Sequence, residues 1–181
     1  ILVEKDKKLV RKLFITGKGR FTLTNNCDVD TWISNTMSNP YFMYSSFYTF
    51  NSESTIEHFD KLRVKTKTER GNRVFPASDK SSDIVRAMER DLHNNNVDIM
   101  LNSKAEKFIV KDKKVIGIVV NGKKILCDSI ILCAGGKSYP VTGSNGDGYS
   151  LAKELGHTVI SPKPSLVSLV TDNDFISELQ G

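Results

Sequence analysis

An apolar run that stops at a pair of glycines restricts this chain more than any other feature. Ile130-Ile131-Leu132-Cys133 leads into Ala134-Gly135-Gly136, then Lys137-Ser138-Tyr139-Pro140 and Gly143-Ser144-Asn145-Gly146-Asp147-Gly148. An unbroken apolar run of this length suits a strand covered on both faces, which means a parallel sheet flanked by helices. Glycines at its end admit backbone where a side chain would collide, so a ligand can approach the strand's edge. The expectation is a buried strand over residues 129–133, with the edge of a nucleotide-cofactor site at its end.

The chain opens in a compatible way. Ile1-Leu2-Val3 reads as the last part of a buried strand, closed by Glu4. Dinucleotide-binding folds place there an acid that accepts hydrogen bonds from an adenosine ribose, roughly 20 residues after a glycine-rich phosphate turn. That turn would precede Ile1, so the sequence reads as a piece lacking its first strand and glycine fingerprint. The alternative is that Glu4 is a surface acid after a strand. Residues 5–30 are basic and turn-rich, with Gly17 and Gly19 flanking Lys18, and read as a ligand-facing loop.

The middle of the chain alternates core elements. Residues 31–62, with Trp32, Tyr41, Phe42, Tyr44, Phe47, Tyr48 and Phe50 followed by Ile56, Phe59 and Leu62, predict two short helices. Ser82 is placed to cap a helix with the stripe Ile84, Val85, Met88 and Leu92, ended by Asn94-Asn95-Asn96 before a strand over 97–101. Three strands follow at 108–110, 115–120 and 124–126, joined by turns at Lys111-Asp112-Lys113 and Asn121-Gly122, and form an antiparallel meander. After the glycine loop, Leu151, Ala152 and Leu155 mark a helix that ends at Gly156, with Asp147 placed to cap it.

This order resembles the FAD-binding domain of flavoproteins with the glutathione-reductase type of fold, in which a meander replaces one crossover helix. The fold class is therefore α/β: an FAD/NAD(P)-binding, Rossmann-like parallel sheet with a three-stranded antiparallel meander, its first strand absent. More narrowly, four segments resemble the bacterial family of aminoacetone oxidase-like and 3-dehydro-bile-acid reductase flavoproteins. They are residues 12–20 (KLFITGKGR), Thr24-Asn25, residues 71–76 (GNRVFP), and the stretch from Gly135 through Pro140 to Gly156-His157. Phe21-Thr22 stands where that family commonly has Cys-Asn, Val10 replaces a glycine, and Ala134 replaces a threonine. Pro164-Ser165-Leu166-Val167 resembles the family's exit toward a substrate domain, so residues 1–181 read as a partial FAD-binding domain with that exit over 164–181.

The resemblance implies an FAD-dependent oxidoreductase that transfers hydride to or from a small organic substrate, with NAD(P)H as a candidate electron donor. It implies cofactor contacts at Glu4, Lys5, Arg11, Lys12, Thr16, Gly17, Gly19, Arg20, Asn25, Ala105, Cys133, Ala134, Gly135, Gly136, Gly146 and Asp147. A pyrophosphate needs cations and backbone donors, which the basic loop and the glycines supply. No acid or base has a spacing that assigns it a catalytic role. The piece by itself is expected to bind FAD poorly and to be inactive, since the helix N-terminus that faces the pyrophosphate would precede it.

Composition limits the rivals. One domain is the default for 181 residues that are 39% hydrophobic, and a net charge of +5 suits an anionic partner. Three cysteines without CxxC spacing and three scattered histidines argue against a disulfide framework or a metal site. No apolar run approaches bilayer-spanning length and no leader is visible, so the expectation is a cytoplasmic protein without membrane or nucleic-acid partners. A fumarate-reductase or ketosteroid-dehydrogenase-like flavoprotein is the nearest alternative. A basic module that binds nucleic acid through the run from Lys61 to Arg73 is the second, although that run offers no aromatic platform for bases, and a catalytically dead structural remnant is the third.

Overall fold

The computed structural model describes residues 1–164, so the expected exit over 164–181 lies outside the described residues apart from Pro164. Along the chain run β1 (Leu2–Val3), β2 (Thr24–Asn25), α1 (Val29–Ser34), α2 (Tyr44–Thr49), α3 (Ser52–Lys61), β3 (Thr66–Glu69) and β4 (Arg73–Pro76). They are followed by α4 (Ser81–Asn94), β5 (Ile99–Met100), β6 (Ala105–Lys111), β7 (Lys114–Val120), β8 (Lys123–Leu126) and α5 (Asp147–Glu154). β1 pairs in parallel with β5, β2-β4-β3 form an antiparallel sheet, and β6-β7-β8 form the expected meander.

The meander follows from its turns. Asn121 (φ 46°) and Gly122 (φ 75°) both take the left-handed conformation that a two-residue hairpin with native twist requires. Asp112 (φ 49°) and Lys113 (φ 61°) do the same at the other turn. Asn121 also accepts from the Lys104 amide at 2.9 Å and donates to the Asn102 carbonyl at 2.9 Å, which ties this hairpin to the β5–β6 connection.

The core lies between α3, α4 and the β2-β4-β3 sheet. Phe59 and Val64 pack with Ile84 and Ala87 of α4, and Phe21, Leu23 and Leu62 close over them. β4, the central strand, contributes Val74, Phe75 and Pro76, all fully buried. The Arg11–Phe14 turn packs against α4, and α5 packs against β6.

Several expectations change. Residues 129–133 form no strand, and Ile131 and Leu132 are 88% and 41% exposed. An extended segment becomes a strand only when a neighbour satisfies its amides and carbonyls, and no described strand pairs with this one. The strand expected over 97–101 shrinks to Ile99–Met100, the length over which β1 pairs with it. Residues 31–62 hold α1, α2 and α3 and a short 3-10 turn, because Asn39 (φ 51°) and Pro40 begin the separate turn Pro40–Met43 and Asn51 caps α3 by accepting from the Ser54 amide at 2.9 Å. Most aromatics of this segment are exposed, Tyr41 and Phe42 at 81% and 84%.

Helix α4 begins at Ser81, one residue before the expected cap, and Ala87 rather than Met88 takes the buried place in its stripe. Helix α5 ends as read, with Gly156 at φ 86°. Asp147 is the first residue of that helix and not its cap; the cap position belongs to Gly146, whose φ of 91° suits glycine.

Candidate functional site

The basic loop after β1 and the glycine loop before α5 meet through three basic side chains that bond side chains and carbonyls of the glycine loop. Lys5 Nζ donates to Asn145 Oδ1 at 2.8 Å and to Asp147 Oδ2 at 2.7 Å. Arg11 donates to Asp6 Oδ1 at 3.1 Å and to the Val141 carbonyl at 2.9 Å. Lys12 Nζ donates to the Ser138 carbonyl at 2.8 Å and to Ser144 Oγ at 3.0 Å, and both acceptors are neutral. Three cations thus fasten a loop roughly 130 residues further along the chain.

The floor is built from strand ends. Glu4 donates its amide to the Met100 carbonyl, and its own carbonyl accepts from Ser103. Its carboxylate accepts from the Asp6 amide at 2.9 Å, shaping the turn that presents Lys5. Ala105 begins β6 two residues beyond Ser103, so Glu4 and Ala105 come to the same end of the parallel pair. Ala134 and Gly135 are exposed, Gly135 has φ 71°, and a Cβ on it would lie 3.5 Å from Ser144 Oγ, the acceptor of Lys12. Gly143 has φ 93°, which favours glycine, and a Cβ there would also push aside the Asp6 carboxylate, so the two loops close on each other at a glycine.

Over residues 1–170 the chain matches the family model described as the HI0933-like protein Rossmann domain. The chain belongs to that family. Among curated proteins it is 31% identical over 169 residues to the 3-dehydro-bile acid delta(4,6)-reductase of Clostridium scindens, covering 93% of this chain and 40% of the relative. It is 25% identical over 181 residues to the ribosomal RNA dihydrouridine synthase of Escherichia coli, covering 99% of this chain and 44% of the relative. Among solved structures it resembles the open conformation of a flavocytochrome c3 fumarate reductase, with a TM-score of 0.56, 21% identity, and coverage of 86% of this chain and 33% of that one. That last likeness shows the fold alone. The chain spans less than half the length of these curated relatives.

In this HI0933-like domain the other residues marked from sequence make contacts of their own, and the Thr16–Gly19 turn packs against the Arg11–Phe14 turn that carries Lys12. Thr16 bonds the Leu13 carbonyl at 3.1 Å, and Gly17 and Gly19 (φ 58° and 85°) form the turn before Arg20. Arg20 pairs with Glu69 at the end of β3 and with Asp79 in the turn after β4. Asn25 donates to the Gly71 carbonyl at 2.9 Å, while its own carbonyl accepts from the buried Ser52 hydroxyl. Cys133 is an exposed free thiol.

Sequence reasoning missed Ser138, Val141, Ser144 and Asn145 as the acceptors of the basic loop, and Glu69 and Asp79 as the partners of Arg20. Only the crowding of Ser144-Asn145 between glycines hinted at a role. A cleft of about 740 Å³ opens elsewhere, beside Cys27, Asp28, Asp30, Tyr48, Glu53 and Glu57. There the Tyr44 hydroxyl and the Asp30 charge push the Tyr48 phenol up to about 12, and burial beside Asp28 raises the Cys27 thiol. Among the described residues no group of acids, histidines and cysteines is placed to hold a metal ion, and no helix is long and apolar enough to cross a membrane.

Lys5 holds the Asp147 carboxyl below the usual aspartate range. A lowered carboxyl stabilises the fold at pH above its ordinary value, and that contribution fades as acid protonates the folded form. Asp147→Asn is therefore expected to cost about 0.5–1 kcal/mol near neutral pH, as for a partly exposed ion pair, and almost nothing in strong acid. Urea unfolding of parent and variant at the two pH values checks this; a gap that persists in acid would show that the carboxylate charge is not what stabilises the loop.

Proposed function

We propose that this chain forms most of the FAD-holding domain of a flavin-dependent reductase. The observation that carries this reading is the meeting of two loops after β1, where three cations bond the glycine loop and the exposed Gly135 lies against Ser144, an acceptor of Lys12. Those residues suit a dinucleotide. The Lys12 ammonium bonds only neutral oxygens among the described residues, so an anionic phosphate would be its first charged partner. We read Glu4 and the start of β6 as the groups that meet the ribose and adenine edge, following the general pattern of such folds. Bound FAD would supply hydride chemistry, while the protein's contribution is to hold and orient it.

The names of the two curated relatives both denote the addition of two hydrogens across a double bond, in one case of a bile acid derivative and in the other of a uridine. By analogy, the substrate here is a small organic molecule with a carbon–carbon double bond conjugated to a carbonyl, and NAD(P)H is the electron source. A polynucleotide substrate is the second reading, favoured by the dihydrouridine synthases and by the exposed cations Lys61, Arg63 and Arg70. Against it, Lys65 pairs with Asp60 and Lys67 with Asp79 and Glu69, which removes two cations from that run.

The test begins with the intact protein. Its absorbance spectrum and nucleotide extraction are expected to give FAD, and NAD(P)H is expected to bleach it. Anaerobic mixing of the reduced protein with a conjugated enone or with ribosomal RNA then separates the two substrates by which one restores the oxidised spectrum. Protein purified without any flavin, and unable to take up FAD, would overturn the proposal.

A further inference from the structure

We propose that Arg20 is a positioning residue: it fastens the Thr16–Gly19 turn to the β3–β4 hairpin through Glu69, Asp79 and Phe75, and affects the cofactor only through that turn. The inference deepens the flavin reading above and rests on it. Sequence reasoning counted Arg20 among the cations that meet the pyrophosphate, but its surroundings describe a different task.

Arg20 Nη1 lies 3.1 and 3.0 Å from the two Glu69 oxygens and 3.2 Å from Asp79 Oδ1. Its guanidinium carbon sits 4.0 Å from the centroid of the Phe75 ring, a cation–π distance. Lys67 Nζ approaches the same two acids, at 2.6 Å from Asp79 and 3.2 Å from Glu69. Two cations and two carboxylates therefore alternate around one cluster whose formal charge is zero. A guanidinium already committed to two carboxylates and a ring offers little net field to a phosphate.

The turn needs such an anchor. Gly17, Lys18, Gly19 and Phe21 all have positive φ, at 58°, 56°, 85° and 61°, and for a phenylalanine that conformation is costly. The backbone bonds Arg20 N to Gly17 O and Phe21 N to Thr16 O, at 3.2 and 3.1 Å, are the local restraint. A Cβ on Gly17 would come within 3.5 Å of the Phe75 ring, so the turn and Arg20 both rest on one buried side chain. The rigid, planar fork of arginine suits this geometry, and lysine does not reproduce it. Because Lys67 remains to balance Glu69 and Asp79, removal of Arg20 leaves neither acid stranded, and its variants are expected to fold.

The test compares Arg20→Lys, Arg20→Gln, Glu69→Gln/Asp79→Asn and the combined triple variant in the intact protein. Two quantities are measured: the FAD dissociation constant and hydrogen exchange of the amides at residues 16–21. Both Arg20 variants are expected to weaken FAD on the order of tenfold, equally, and the acid variant to a similar degree. The triple variant is expected to be no more than about twofold worse than either, the signature of residues acting as a unit. Exchange at the turn is expected to rise in every variant. If Lys at position 20 restored affinity that Gln loses, or if the acid variant bound FAD as the parent does while the Arg20 variants did not, Arg20 would be a direct phosphate ligand and the proposal would fall. Turn amides that stay protected in Arg20→Gln would overturn it whether or not the protein binds flavin. Absence of FAD from the parent protein, with the turn loosened as expected, would instead remove the flavin reading and leave the anchor standing.

Discussion

Phe75→Ala is expected to destabilise the protein by about 3–5 kcal/mol, the range for deleting a buried aromatic from a core that cannot collapse around the gap. Phe75 is 1% exposed and sits on β4, the central strand of its sheet, next to Val74 at 0%. Its ring also carries the Arg20 guanidinium and faces the Gly17 turn, so the cavity opens beneath the basic loop as well as within the core. Against a total stability of roughly 5–15 kcal/mol, such a loss is a large share of the whole. Urea unfolding of the intact protein measures it. Phe75→Leu, which keeps most of the volume, is expected to lose clearly less. An alanine variant within about 1 kcal/mol of the parent would show that the sheet is not the centre of this core.

The parts of this fold that could be read from sequence are those whose cause is local. Asn121-Gly122 specifies a hairpin because both residues accept positive φ, and the flanking alternation fixes which strands it joins. Helix α4 was readable from Ile84 and Val85, and the end of α5 from Gly156. Residues 129–133 were misread for the opposite reason. Their composition suits a buried strand, but a strand exists only with a neighbour, and sequence carries no record of which neighbour is present. The aromatic segment from Tyr41 to Phe50 shows the same limit, since Tyr41 and Phe42 are 81% and 84% exposed: hydrophobicity marks what prefers burial and not what covers it.

The candidate site divides in the same way. The glycine positions were readable because their conformational demand is intrinsic: Gly135, Gly143 and Gly146 all have positive φ. The partners of the cations were not. Lys5, Arg11 and Lys12 reach acceptors on a loop well over a hundred residues away, and Arg20 reaches acids 49 and 59 residues on. A cluster of basic residues in sequence announces charge without saying whether it is spent on the protein itself or kept for a ligand. Here Arg20 and Lys12 represent the two outcomes: one is balanced by two carboxylates, and the other bonds neutral oxygens.

Gly135→Val is expected to remove nearly all flavin from the purified intact protein while leaving helix content unchanged, and the reason is conformation rather than space. A Cβ at Gly135 would lie 3.5 Å from Ser144 Oγ, an ordinary contact, but the backbone there has φ 71°. A β-branched residue in that region costs about 1–3 kcal/mol, and the loop can escape the cost by rotating to negative φ. Rotation would redirect the backbone of Ala134–Gly136 and displace Ser144, which accepts from Lys12 at 3.0 Å. Both the exposed backbone and the cation that face the proposed pyrophosphate would then be lost together. Gly136 is the control: its φ is not positive, and a Cβ there would meet only the Tyr149 hydroxyl at 3.7 Å. Gly136→Ala is therefore expected to keep most of its flavin, while Gly135→Ala falls between the two. Flavin absorbance per protein, measured beside far-ultraviolet circular dichroism, gives the answer. Equal flavin in the parent and Gly135→Val proteins would take this glycine, and the loop conformation it allows, out of the cofactor site.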